Sequence, residues 1–180
     1  MKLYEVDWQI HSLEHVVVGI DAGLAAIEAQ IGDPEWYDGV HACEDAEPLL
    51  GLGFVAFQTF AVRAVADLNR IRASRRKPKE NKLDCYSCDP VTLRGGVTRI
   101  QLVHAVANYF KHHDEWPRWP TNKGDSGFHD AEILARVGIK QKTTHPCIAA
   151  TNLLCGTGWK MIVLHQIVRE WRAHLINKLG

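Results

Sequence analysis

Residues 52–66, LGFVAFQTFAVRAVA, constrain the fold most. They carry Phe54, Val55, Phe57, Phe60, Ala61, Val62 and Val65, so a helix over Leu49 to Arg72 or Ser74 is apolar nearly all round. Such a helix is central and must be covered on several sides by other elements.

The chain supplies the cover. Leu13, Val16, Val17, Ile20, Leu24, Ile27 and Ile31 form one face of a helix over Leu13–Ile31, with Ser12 as its cap and Gly32 and Pro34 to stop it. Thr98 caps a helix over Arg99 to His112 or His113. A short helix spans Asp130–Val137, closed by Gly138, and another runs from near Thr144 to Gly156 with Pro146 in its first turn. Thr157 caps the last, Trp159–Leu179, whose core stripe is Met161, Leu164, Val168, Trp171 and Leu175. Asp33 to Glu47 reads as an acidic turn-rich connection, and residues 74–97 as a long basic loop holding a CxxC pair. No strand pair stands out. The expectation is one all-α domain over residues 1–180, a bundle of four long and two short helices.

Apolar residues make up 46% of the chain, enough for a substantial core. The longest apolar runs are interrupted before 18 residues, so no membrane span is expected. The start, MKLYEVDWQIHS, lacks the apolar centre of a signal peptide, and five cysteines is an odd number. Reduced thiols and a cytoplasmic setting follow as expectations. Charge is divided: residues 1–50 hold eleven Asp or Glu against one Lys, and the rest hold twenty Lys or Arg against ten acids. Acidic faces are expected to meet basic ones across the fold.

Arg70, Arg72, Arg75, Arg76, Lys77, Lys79 and Lys82 crowd the end of the central helix. Cations suit a helix C-terminus, but seven in thirteen residues exceed that need. Arg72, Arg75, Arg76, Lys77 and Lys79 are the candidate contacts to an RNA backbone, against a solvated linker as the other reading. Cys85 and Cys88 are half of a zinc site with no second half at the usual spacing, so neither metal nor cofactor is expected. The segment around Cys147 to Leu154 is too poor in basic groups for a DNA-reading helix.

The helix from Arg99 carries one polar stripe on an apolar body: Gln101, His104, Asn108, Lys111 and Glu115, with His112 beside them. Either this is the solvated face or it is where the protein works. Arg99, about a turn and a half before His104, reaches toward the same phosphodiester. A guanidinium binds phosphate as a fork, and an imidazole moves a proton at a ribose hydroxyl or a leaving oxygen. A second Arg–His pair of the same spacing, Arg169 and His174, lies in the last helix.

An Arg followed by a His on a late helix of a small helical domain resembles the HEPN superfamily. The run Asn108-Tyr109-Phe110-Lys111-His112 is similar to the N-x-x-K-H ending seen in HEPN-like proteins. The resemblance implies a dimeric helical bundle and a metal-independent endoribonuclease of toxin–antitoxin or phage-defence type. Arg99 and His104 would be catalytic, Asn108, Lys111 and His112 supporting, with RNA and an antitoxin-like protein as partners. The family commonly has Asn, Asp or His after the Arg, where this chain has Ile100. That favours the alternative, a catalytically silent HEPN-like module that binds protein or nucleic acid.

Overall fold

A computed structural model describes residues 8–156 and 158–179. It is all-α: 71% helical, with no strand among the described residues. The helices are α1 (Trp8–Glu28), α2 (Gly39–Ser74), α3 (Lys82–Ser87), α4 (Arg99–His112), α5 (Phe128–Arg136), α6 (Pro146–Cys155) and α7 (Met161–Leu179).

The 36-residue α2 is the spine, about 54 Å long at 1.5 Å per residue. It packs against α1, α4, α6 and α7. Leu50, Phe54, Phe57 and Leu68 on it are fully buried. The helix starts ten residues before the expected Leu49. Asp38 caps it, accepting the amide protons of Val40 at 2.8 Å and His41 at 3.1 Å. Pro48, expected to precede the helix, lies inside it. The Pro removes one ladder donor, and the buried contacts of Ala42, Ala46 and Leu50 hold the turns on either side.

α1 also begins early, at Trp8, so Ser12 lies within it rather than capping it. It buries Leu13, Val17, Ile20 and Leu24, whereas Val16 and Ile31 face outward. The expected cap Thr157 lies outside the described residues. The start of α7 receives a carboxylate from α1: Asp21 accepts from Met161 N at 2.7 Å and Ile162 N at 3.1 Å. Glu47 does the same for α6, accepting from Cys147 N at 2.7 Å and Ile148 N at 3.0 Å. The acidic and basic parts of the chain thus meet through carboxylates on backbone amides. Among the described residues no ion pair joins an acid before residue 50 to a Lys or Arg beyond it.

α4 is the most enclosed helix: Ile100, Leu102, Val103, Ala105, Val106 and Ala107 are fully buried. It crosses α2 closely at Gly51, where an added Cβ would lie 2.2 Å from the Phe110 ring. The expected loop 74–97 is pinned rather than open. It contains α3, too short for periodicity to betray it, capped by Asn81 and tied down by Trp171 Nε1–H donating to Cys85 O at 3.0 Å.

By length and mean hydropathy, 1.3 for α1 and 1.7 for α2, two helices are apolar enough to cross a membrane. The expectation of no span rested on an unbroken apolar run, and a window average passes where that test fails. In α2 that window is 56% buried in the bundle, in α1 22%.

Candidate functional site

The polar stripe of α4 is enclosed at His104, half-buried at Gln101 and Asn108, and exposed at Lys111, His112 and Glu115. It is a seam between α4, α2 and α5. Gln101 closes a capping box with Thr98 at the helix start, and Thr98 Oγ1 donates to Tyr86 O at 2.8 Å. His104 is buried, with Tyr86 against its ring at 5.1 Å. Gln58, the one amide in the apolar stretch of α2, meets it from across the interface: Gln58 Nε2 lies 2.8 Å from His104 Nδ1 and 2.7 Å from Asn108 Oδ1. Asn108 Nδ2 lies 3.2 Å from His104 Nε2 and donates to Asp130 Oδ2 at 3.1 Å.

Lys111 fixes the direction of this seam. Its ammonium has only donors and gives one to Gln58 Oε1 at 2.7 Å. The Gln58 amide must then present its NH₂ to Asn108 Oδ1 and His104 Nδ1, and Asn108 its NH₂ to Asp130. A ring nitrogen that accepts from Gln58 belongs to neutral imidazole. Burial, then the charges of Lys82, Lys111 and His129, push the His104 imidazole down to about 4 in agreement. Burial likewise raises the Asp130 carboxyl above its ordinary value, partly opposed by its Asn108 bond and by the neighbouring His129, Lys82 and Lys111.

Arg99 is engaged elsewhere. Asp89, wholly buried, receives it as a fork: Nε to Oδ2 at 3.0 Å, Nη2 to Oδ1 at 2.7 Å, and the Arg99 backbone N–H to Oδ2 at 3.1 Å. Glu170 Oε2 lies 3.6 Å from Nη1. Five residues of helix turn a side chain through about 140°, and Arg99 and His104 have no hydrogen-bond partner in common. The pair anticipated to converge on one phosphate is split between two neighbourhoods. Arg99 acts as a strut joining the loop before α4 to α7.

The seam opens at its far end. Asn108, His112, Glu115, Trp116, Ser126 and Asp130 line a polar cleft of about 290 Å³ between the end of α4 and the start of α5. His112 Nδ1 is held by Glu115 at 3.3 Å. Trp116 is wedged edge-on against Tyr109 and Trp119 at 5.7 and 6.0 Å and lies over Gly127, where a Cβ would come within 2.3 Å of its ring. Of the three supporting residues read from the sequence, Asn108 and His112 line this cleft, and Lys111 turns to Gln58. Gln58 and Asp130 were missed. A lone amide in an otherwise apolar helix was the available signal for Gln58. Asp130 carried none, because its partner lies 22 residues away.

Of the basic run, Arg72 is structural. It is buried, donates to Pro78 O and Leu179 O, and pairs with Glu80. Arg75, Arg76, Lys77 and Lys79 are exposed on the turn after α2. All five cysteines are free, and burial pushes the Cys85 thiol up to about 11. Among the described residues no group of three or more His, Cys, Asp or Glu is arranged to hold a metal. No family model, curated protein or solved structure matches this chain.

Proposed function

We propose that this chain is a helical module that binds single-stranded RNA along a basic track. The observation that carries the reading is the exposure of its cations. Arg75, Arg76, Lys77 and Lys79 are exposed on the turn after α2, Lys82 is exposed at the start of α3, and Lys111 is exposed at the end of α4. Such a set of exposed cations suits the backbone of a flexible anionic strand.

Cleavage by Arg99 and His104, with the dimer and antitoxin-like partner that go with it, is the weaker proposal. The guanidinium is neutralised by Asp89, and the imidazole is enclosed with its Nδ1 lone pair engaged. Relationship to HEPN-like proteins rests on the Asn108–Lys111–His112 run and is compatible with a module that has no catalysis.

Fluorescence anisotropy with a labelled oligouridine tests the reading, alongside incubation of mixed RNA in EDTA. Binding should weaken steeply with salt, Arg75→Glu with Arg76→Glu should abolish it, and the RNA should stay intact. Cleavage that disappears in His104→Ala while the fold survives would replace this reading with the ribonuclease.

A further inference from the structure

The cleft at the end of the seam has a feature the track alone does not need. Asp130 spends one oxygen on Asn108, while its Oδ1 takes no hydrogen bond from the protein among the described residues. The amide of Asn108 is committed on both sides, its Oδ1 to Gln58 and its NH₂ to Asp130, so it holds the carboxylate in place without competing for a ligand. Beside it stands Trp116, immobilised by Tyr109, Trp119 and Gly127. A cleft of about 290 Å³ falls at the lower end of the range for small-molecule pockets, the size for one planar ring system rather than an extended ligand.

We propose that this cleft is a guanine pocket, in which the Asp130 carboxylate takes the two adjacent donors of the base edge and Trp116 flanks the ring. The selectivity follows from donor count. A carboxylate is acceptor-only. Among the four RNA bases, guanine alone offers two neighbouring donors, N1–H and the exocyclic amine. Adenine and cytosine set a donor beside an acceptor, and uracil offers a single N–H between two carbonyls. The aromatic wall adds stacking that every base shares, so the carboxylate decides the preference. The ammonium groups of Lys82 and Lys111, whose charges act on Asp130, suit the phosphate such a base carries. This deepens the RNA-binding reading, on which it rests for the source of the base; a free guanine nucleotide carries the same edge.

Intrinsic tryptophan fluorescence, titrated with GMP, AMP, CMP and UMP on the full chain, gives the test. GMP should bind at least about tenfold more tightly than the others, and Asp130→Asn should remove that preference. Ser126→Trp, which fills the cleft from its exposed rim, should block GMP and guards against Asp130→Asn acting through the fold. In parallel, oligouridine is compared with the same strand carrying one internal guanosine. Tighter binding of the guanosine strand, lost in Asp130→Asn, places the base in RNA. GMP binding without that gain keeps the pocket but makes its ligand a free nucleotide. Oligouridine binding with no preference among the mononucleotides overturns the pocket and leaves the RNA module standing. GMP binding without any RNA binding overturns the module and leaves the pocket. Loss of both overturns both.

Discussion

The Glu47 carboxylate sits across the start of α6 and accepts the amide proton of Cys147 at 2.7 Å and that of the next residue, Ile148, at 3.0 Å. It does the work of an N-cap from 100 residues away, and the residue in the cap position, His145, makes no side-chain capping bond. Glu47→Ala should therefore lower stability by about 1–2 kcal/mol, read as the midpoint of urea unfolding with an unchanged slope. A loss within experimental scatter would mean that water replaces the carboxylate at no cost.

The α2–α4 crossing makes a steric prediction. An Ala at position 51 forces the Phe110 ring to shift, because its Cβ would come within 2.2 Å. Gly51→Ala should destabilise by about 1–3 kcal/mol despite the better helix propensity of Ala. Phe110→Leu should recover part of that loss in a double-mutant cycle. Simple additivity would show that the two residues do not share the contact.

Acid should weaken the fold through His104. Its folded value of about 4 lies below the usual 6.5, so between these two the unfolded chain binds a proton that the native chain refuses. Stability is complete above about pH 6.5 and falls as pH drops toward 4, by roughly 3 kcal/mol at most. Asp130 works the other way. Its raised carboxyl holds a proton longer in the native state, which offsets part of the loss at the acid end. Urea melts at several pH values check the slope. In His104→Gln it should be nearly absent between pH 6.5 and 5.

Arg72 and Arg75 should part company on substitution. Arg72→Ala leaves two backbone carbonyls and Glu80 without their donor and should cost about 2–3 kcal/mol. Arg75→Ala should change stability by less than about 0.5 kcal/mol, yet weaken oligouridine binding and flatten its salt dependence by about one phosphate contact. Equal effects of both substitutions on stability would remove Arg75 from the proposed surface.

The helical class was legible because α2 and α4 advertise themselves by composition, and the start of α4 by its cap, Thr98. Where α2 begins was not legible. Gly39 and Pro48 look like breakers, and only the cap made by Asp38 with the burial of Ala42 and Ala46 shows why the helix runs through them. Asn108, Lys111 and His112 were found because they share a helix face. The fate of Arg99 was hidden, since a local spacing reveals nothing of Asp89, which reaches it from another element. The same blindness to distant partners concealed Gln58 as the contact of His104, 46 residues away.

The chain of contacts from Lys111 through Gln58 and Asn108 to Asp130 has a single sense. Neither amide can turn over alone, because a reversal would set like poles face to face in an enclosed space. The ammonium and the carboxylate therefore stand at opposite ends of one line of aligned amide dipoles.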